Sequence, residues 1–287
     1  MKLDGRREST NVDDRRGKSV ATAGGIGLGG LLIYGLISLL SGGDLGSVLQ
    51  QATEAMAQQT TIEYTPTAEE EALATFSKQI LAGTEDVWSE IFRRNGLTYE
   101  PPKLVLFSGS VQSACGGATS SSGPFYCSAD QSVYIDLSFF TSMKSQIGAD
   151  GDFAYAYVIA HEVGHHVQYL LGTLSQAHQQ MSRYKQGSKQ YNEISVRLEL
   201  QADFYAGVWA HNDHKKFGSI EDGDIMEGLN AASKIGDDYL QKQAYGYTVP
   251  DSFNHGTSAQ RARWLKKGIN TGDPSQGDTF SVAYSSL

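Results

Sequence analysis

One stretch of the chain, residues 157–168, limits its fold and its chemistry more than any other. It reads Tyr-Val-Ile-Ala-His-Glu-Val-Gly-His-His-Val-Gln, so that a His-Glu-x-x-His motif lies inside an apolar run compatible with a helix. In a helix, His161 and His165 are four residues apart and therefore lie on one face, one turn from each other. The surrounding pattern predicts a helix over Asp152–Leu171 that ends at Gly172.

The spacing of these two histidines is typical of a zinc site. Two neutral imidazoles one turn apart can hold one Zn²⁺ at roughly 2.0–2.1 Å each. Glu162 follows His161, so its carboxylate can reach a water on the open side of the metal, as the general base of a metalloprotease does. The alternative is a chance match, but two histidines and a glutamate in an apolar helix are costly unless they are paired or bind a metal.

A second motif supplies the third ligand that a catalytic zinc site needs beside one open position. Glu199 lies in a predicted helix over Asn192–His211, and a carboxylate from a neighbouring helix completes a His₂Glu ligand set. Asp203 is four residues further on, on the same helical face, where it can accept the N–H from the far side of a ligating imidazole. The alternative is that both are solvated helix charges, but the apolar residues around them favour a buried segment.

Composition and charge exclude one class of partner. The chain has 287 residues, enough for one sizeable domain with tails, and its net charge of −9 argues against a nucleic-acid partner.

Its two cysteines, Cys115 and Cys127, lie in a Gly/Ser-rich stretch without a nearby histidine, which argues against a cysteine zinc site. We expect a disulfide if the domain lies in an oxidising compartment, and two buried free thiols are the alternative.

An apolar run predicts attachment to a membrane. Ala21–Leu40 has no charged residue over twenty positions, the length of a helix that crosses a bilayer core. Basic residues are concentrated in residues 1–20, a tail that we expect to be disordered and that the positive-inside bias places in the cytoplasm. Residues 41–65 then form a linker, and residues 66–287 form a domain on the outer side. A cleaved signal peptide is the alternative, but the run is longer than a usual signal-peptide core.

The domain is predicted to be α+β, mostly helical with a small sheet. Beside the two helices of the metal motifs, apolar spacing indicates helices over Glu69–Arg94 and Asp222–Lys242, the latter weak at Gly236, and a short one within Asp251–Trp264. The polar, Gln-rich stretch Gly172–Gln190 suits either a solvent-exposed connection or a helix.

Two strands and one long loop are predicted before the metal motif. Lys103–Phe107 is a strand candidate, and Ser132–Leu137 alternates as a half-buried strand does. Ser108–Ser128 is predicted to be a loop that the disulfide would pin. A strand near the metal of a zinc peptidase commonly pairs with an extended substrate, and Ser132–Leu137 is either such a strand or a plain core strand.

These motifs resemble those of a known family. His-Glu-Val-Gly-His followed by Glu-Leu-Gln-Ala-Asp is similar to the gluzincin pattern, and the chain resembles more closely the putative neutral zinc metallopeptidases of bacteria, a membrane-anchored family. The stretches that carry the resemblance are Gly123–Asp130, Val133–Leu137, Gly151–Phe153 with Tyr157–Gln168, Ser195–Asp203 with Ala206–Ala210, Ile235–Asp238, and His255–Ser258 with Gln260 and Arg261. The chain departs from the family pattern at Phe204 and Gly277, where cysteines are common. Both are absent together, as expected if those cysteines form a second bridge in other members.

The resemblance implies a zincin-like fold and a zinc endopeptidase with one Zn²⁺ per chain. It assigns His161, His165 and Glu199 as the ligands, and Glu162 as the base that takes a proton from water and passes it to the leaving amine of a peptide or protein substrate. It also implies a periplasmic domain at the bacterial cytoplasmic membrane. A membrane-anchored scaffold protein with a structural, non-hydrolytic zinc is the alternative, which a fourth protein ligand would favour. An amidase acting on cell-wall peptide bonds is a third hypothesis.

One further histidine has a candidate role. His255 precedes a glycine turn and a helix start, and it can donate to the oxyanion of a tetrahedral intermediate or, alternatively, bond to backbone within the turn. His166 points about 100° away from its neighbour on the helix and is expected to pack or to support the site. No catalytic role is expected for His178, His211 or His214.

Overall fold

The computed structural model describes residues 1–17 and 64–287, which form an α+β fold in which helices predominate. The main sheet consists of β1 (Val12–Asp14), β2 (Lys103–Phe107), β5 (Phe125–Cys127) and β6 (Ser132–Asp136). Its strand order is β1-β2-β6-β5, with the first three parallel and β5 antiparallel to β6. A hairpin of β3 (Ser110–Ser113) and β4 (Gly116–Thr119) follows β2.

Helices form the rest of the domain and confirm the predicted α+β class in which helices predominate. They are α1 (Ala68–Arg94), α2 (Ser138–Ser142, continued by a π-turn over Met143–Ile147), α3 (Asp152–Leu170), α4 (Thr173–Met181), α5 (Lys189–Phe217), α6 (Asp224–Lys234), α7 (Asp237–Tyr245) and α8 (Ser258–Thr271). The first begins with a capping box in which Thr67 and Glu70 each accept from the other's backbone. The main apolar core lies between the sheet and α1, α3, α5, α6 and α8.

Glycines allow α3, α5 and α8 to touch backbone to backbone. A Cβ on Gly164, inside the His-Glu-x-x-His motif, would lie 2.9 Å from the carbonyl oxygen of Ala202 on α5. A Cβ on Gly207 of α5 would lie 2.8 Å from the Cα of Gly268 on α8. Since no larger residue fits at these contacts, the three helices approach closely enough for side chains near the glycines to meet across them.

Several helix and strand predictions need correction. The run predicted as one helix over Asp222–Lys242 is broken into α6 and α7 at Gly236, where a Cβ would strike the backbone of Ser258. In the polar stretch Gly172–Gln190 the structure has the helix α4, one of the two predicted alternatives, and α5 extends beyond Asn192–His211 at both ends. Ser108–Ser128 is not a loop, because it contains β3, β4 and β5. The predicted disulfide between Cys115 and Cys127 is confirmed and ties the β3–β4 turn to β5.

The strand Ser132–Asp136 differs from its prediction in a way that matters for substrate binding. Every residue of β6 is buried, so it is not a half-buried strand, and it lies between β2 and β5. Both of its edges are therefore paired, and it cannot accept a further strand. Among the described strands, β5 forms the edge of the sheet beyond β6.

The first 17 residues belong to the fold, so the predicted disordered tail is wrong for these residues. Val12 pairs with Leu104 in the parallel β1–β2 ladder, and Ser9 is buried. The guanidinium of Arg6 forms an ion pair with Asp213 at 2.8 Å. A polar, mixed-charge sequence is typical of disorder, but here the basic side chains meet carboxylates of the domain, which compensates their charge within the fold.

The predicted transmembrane run Ala21–Leu40, and the linker as far as residue 63, lie outside the described residues. Within residues 1–17 and 64–287, no helix has the length and apolar character required to span a bilayer. Membrane attachment therefore stays a prediction.

The two positions at which the chain departs from the family pattern, Phe204 and Gly277, lie side by side in the fold. A Cβ on Gly277 would lie 2.5 Å from the ring of Phe204, so these two residues are direct neighbours. Cysteines at both positions would stand close together, in agreement with a second bridge in family members that carry them.

Candidate metal centre

Three predicted ligands converge where α3 and α5 touch. His161 and His165 project from α3 and Glu199 from α5, and their ligand atoms lie within 4.8 Å of one another. The Nε2 of His161 is 3.2 Å from Oε2 of Glu199, and the Nε2 of His165 is 3.5 Å from Oε1 of the same carboxylate. Elsewhere in the described residues, no other group of histidine, cysteine or acidic side chains comes together in this way.

The far side of each imidazole is fixed by a hydrogen bond. The Nδ1–H of His161 donates to Asp203 at 2.8 Å, and the Nδ1–H of His165 donates to the side-chain oxygen of Gln168 at 2.8 Å. Gln168 in turn donates to the carbonyl of Leu198 on α5 at 2.7 Å. Both Nε2 atoms are therefore turned toward Glu199, and two imidazole nitrogens with one carboxylate are the donor set that zinc takes in a hydrolytic site. The residues present fit a zinc ion.

The ligand side chains also act on one another through their charges and hydrogen bonds. Burial alone would lower the pKa of His161, but the carboxylates of Asp203 and Glu199 outweigh it and raise the pKa to about 10. Burial alone would raise the pKa of Glu199, but the charge of His165 and the hydrogen bonds from His161 and His165 hold it well below its usual range. A proton and a metal ion therefore compete for the same imidazole nitrogens.

Asp203 is the centre of a buried network that reaches a third helix. Its Oδ1 accepts from the hydroxyl of Tyr157 at 2.5 Å and from the guanidinium of Arg261 at 2.9 Å, beside the bond from His161. The Nε of Arg261, on α8, donates to Oδ2 at 2.8 Å. Asp203 is fully buried, and its pKa is lowered because Arg261 and His161 outweigh the effect of burial. Arg261 thus compensates the charge of the carboxylate that orients a metal ligand.

Glu162 lies beside the ligands, as its place in the motif predicts. It is largely buried on α3. Burial alone would lower the pKa of His165, but Glu199 and, to a smaller extent, the charge of Glu162 raise it. None of the hydrogen bonds between described residues occupies its carboxylate. The group is therefore available to a water molecule at the metal centre.

His255 lies near enough to Glu199 for charge interaction and is held by a residue that sequence reasoning missed. Its Nδ1 lies 3.1 Å from Oδ1 of Asp237, at the start of α7, and its backbone N–H donates to the other oxygen of that carboxylate at 2.7 Å. Half of the side chain is exposed. The pKa of His255 is raised because the hydrogen bond to Asp237 and the charge of Glu199 outweigh the partial desolvation of this half-exposed ring.

The remaining histidines are placed as follows. His166 is fully buried, donates from Nε2 to the carbonyl of Glu100 at 2.6 Å and accepts from Tyr126 at Nδ1, so it packs α3 against β5 rather than facing the metal centre. Burial lowers its pKa to about 4, so it stays neutral. His211 contacts the carbonyl of Ile269, and His214 accepts from the backbone of Ile220. His178 is near enough to His165 for charge interaction, which after burial is the smaller cause of its lowered pKa.

Comparison with known proteins finds a matching family model and several similar proteins. A family model described as "Putative neutral zinc metallopeptidase" matches residues 1–280. The chain is 48% identical over 293 residues to the uncharacterized protein YpfJ of Escherichia coli strain K12. This alignment covers 98% of this chain and 99% of the relative. It is 45% identical over 195 residues to the uncharacterized protein Rv2575 of Mycobacterium tuberculosis strain H37Rv, or 64% of each chain. No solved structure matches it.

Proposed function

The chain belongs to the family of putative neutral zinc metallopeptidases, and from that premise we propose that it hydrolyses peptide bonds with a zinc ion held by His161, His165 and Glu199. The observation that carries the proposal is the number of ligands. Three protein groups converge, and His166, the nearest further histidine in the sequence, is engaged by Tyr126 and Glu100. A site with three protein ligands leaves a position for water and substrate, whereas a structural zinc site is closed by four.

Side chains of the protein would transfer the proton and stabilise the negative charge that develops during hydrolysis. A bound Zn²⁺ would act as a Lewis acid and lower the pKa of a water molecule toward about 7. Glu162 takes the proton of the attacking water and delivers it to the nitrogen of the leaving amine. His255, held by Asp237, donates a hydrogen bond to the oxygen of the peptide carbonyl as negative charge develops there.

The edge strand β5 offers a place for the substrate backbone. Among the described residues it pairs only with β6, so one edge of Phe125–Cys127 is free to pair with an extended peptide. Tyr126 of this strand contacts His166, the neighbour of a ligand, with its hydroxyl 2.9 Å from Nδ1. This contact places β5 beside the metal helix, and the disulfide at Cys127 braces it. We propose β5, rather than β6, as the strand that binds substrate.

The experiment that tests the function uses the purified full-length protein with a peptide library and a denatured protein substrate. We expect about one zinc per chain, cleavage within peptides, loss of cleavage on removal of the metal with a chelator, and recovery on return of Zn²⁺. Bound zinc without cleavage of any library member would favour the scaffold hypothesis. Cleavage confined to cell-wall peptides would favour the amidase hypothesis.

His255→Ala is expected to lower kcat by about 100-fold to 1,000-fold, because removal of one oxyanion donor has an effect of this size. Zinc content is expected to stay unchanged, since His255 is outside the ligand group. Asp237→Asn is expected to cause a smaller loss, because the ring remains but is less firmly oriented. The matched control is His214→Ala, an exposed histidine at the far end of α5. Loss of zinc from His255→Ala would contradict this role and identify a fourth ligand.

The disulfide supports a proposal for the compartment in which the domain works. A bridge between Cys115 and Cys127 persists where the surroundings are oxidising. We therefore propose that the domain works outside the bacterial cytoplasm, at the membrane to which Ala21–Leu40 would attach it.

A further inference from the structure

The two histidines of the candidate metal centre differ in the group that holds their far nitrogen. Asp203 accepts from Nδ1 of His161 through a carboxylate, and both of its oxygens are acceptors. Gln168 accepts from Nδ1 of His165 through an amide, which has an oxygen at one end and an NH₂ group at the other. If this amide were turned over, its NH₂ group would face Nδ1, and the proton of a neutral ring would have to lie on Nε2.

Two backbone carbonyls determine which end of the Gln168 amide faces His165. The NH₂ group of Gln168 donates to the carbonyl of Leu198 at 2.7 Å and to the side-chain oxygen of Gln201 at 3.1 Å. The NH₂ group of Gln201 donates in turn to the carbonyl of Gly277 at 2.8 Å. Because a backbone carbonyl cannot donate, neither amide can turn over without placing one oxygen against another.

The two amides are shielded from water. Gln168 is fully buried, and Gln201 is 5% exposed. A buried amide in the wrong orientation would lose its hydrogen bonds without replacement by solvent, which is costly in the protein interior. The orientation of both amides is therefore fixed by the fold.

Glu199 favours the other position of the ring proton. Its Oε1 lies 3.5 Å from Nε2 of His165, so in a neutral ring the carboxylate attracts a proton to that nitrogen. A proton on Nε2 occupies the lone pair that a zinc ion needs. The oxygen of Gln168 favours the proton on Nδ1 instead, which leaves the lone pair on Nε2.

We propose that Gln168 and Gln201, anchored on the carbonyls of Leu198 and Gly277, hold His165 in the tautomer that binds the metal. Both glutamines are positioning residues, and no hydrogen bond among the described residues joins Gln201 to a ligand. Gly277 follows α8 in the chain, so the segment beyond that helix contributes to zinc affinity through the two amides. The inference rests on the proposed zinc site and not on the peptidase activity.

The first test is the zinc affinity of Gln201→Met in the purified full-length protein, measured by competition with a chelating dye. Methionine is similar in length but has no amide with which to hold Gln168. We expect zinc affinity to fall by about 10-fold to 100-fold, the range seen when a group that supports a metal ligand is lost. Gln190→Met makes the same change at an exposed position of α5 and is expected to leave zinc affinity unchanged. Equal affinity of Gln201→Met and the natural sequence, with both folded by circular dichroism, would overturn the proposal.

The second test observes the ring proton directly by nitrogen NMR of the metal-free protein with labelled histidines. The spectra are recorded at an alkaline pH at which the ring of His165 is neutral, and its signals are identified by their loss in His165→Gln. We expect the Nδ1–H tautomer in the natural sequence and a shift toward the Nε2–H tautomer in Gln201→Met. The Nε2–H tautomer in the natural sequence, or the same tautomer in both proteins, would contradict the proposal.

Gln168→Glu provides a background in which Gln201 should no longer matter. A carboxylate has no donor end, so it accepts from Nδ1 with whichever oxygen faces the ring. Addition of Gln201→Met to Gln168→Glu is therefore expected to change neither the tautomer of His165 nor the zinc affinity. If the added substitution lowered zinc affinity as much as it does in the natural background, Gln201 would act by another route and the proposal would be wrong.

The same measurements separate this inference from the proposed function. Bound zinc without cleavage of any peptide would refute the peptidase activity, and the comparison of zinc affinities would still decide the role of Gln201. Failure of the natural sequence to bind zinc would overturn the proposed metal site and this inference together.

Discussion

Glu162→Gln is expected to abolish almost all peptide hydrolysis while the protein keeps its zinc. The amide fills the same space but cannot accept a proton from water, and loss of a general base typically lowers the rate by about 100-fold to 10,000-fold. Zinc should be retained because Glu162 is not among the groups that converge on the metal position. The measurement is kcat/KM on a peptide identified from the library, together with zinc content by elemental analysis.

The matched control for this variant is Glu193→Gln. It makes the same chemical change on α5, six residues before the ligand Glu199, at a partly exposed position. We expect its activity to equal that of the natural sequence. If Glu162→Gln hydrolysed peptides at the natural rate with zinc bound, the proposed base would be wrong, and so would the mechanism built on it.

Arg261→Leu is expected to cause the largest loss of stability among single changes at the site. It leaves the carboxylate of Asp203 fully buried without its guanidinium partner, and breaking a buried ion pair on one side typically costs about 3–5 kcal/mol of unfolding free energy. Zinc affinity should fall by roughly 10-fold to 100-fold, as it does when a group that supports a metal ligand is lost. Chemical denaturation and zinc titration measure the two effects.

Two further variants test whether the loss of stability comes from the buried ion pair of Arg261 with Asp203 or from any substitution on α8. Arg263→Leu removes the same charge two residues further along the helix, where the side chain is exposed, and is expected to change unfolding free energy by less than about 0.5 kcal/mol. The double variant Arg261→Leu with Asp203→Asn should recover part of the lost stability, because it no longer buries an unpaired charge. Equal losses from Arg261→Leu and Arg263→Leu would show that the buried pair contributes little.

The groups around the metal position were predictable where helical periodicity places them. His161 and His165 share a face of α3, and Glu199 and Asp203 share a face of α5, because four residues make about one turn. That the two faces meet depends on Gly164, which lies within the motif itself.

Arg261 and Asp237 were not assigned roles because they reach their partners across the chain. Arg261 contacts Asp203, which is 58 residues away, and Asp237 contacts His255, which is 18 residues away. The helical pattern did indicate a role for Arg261, because this residue shares a helix face with buried residues. They are Trp264, Leu265 and Gly268. A basic residue on an apolar face needs a buried partner, and the neighbouring Asp203 was a candidate.

The N-terminal strand could not have been found in the same way. A strand of three residues is too short to show alternation, and arginines beside acidic residues are equally typical of a solvated tail. The break of the helix after Lys234 was indicated by Gly236, but only the contact with Ser258 explains it.

The position of β1 at the side of β2 has a consequence for the order of events in synthesis. β1 leaves the ribosome first, but its partner β2 follows roughly 90 residues later. Pairing must therefore wait until α1 and β2 have been made, and closing so long a loop is slow compared with forming the helices. We expect the first residues of the protein to be among the last to reach their native place.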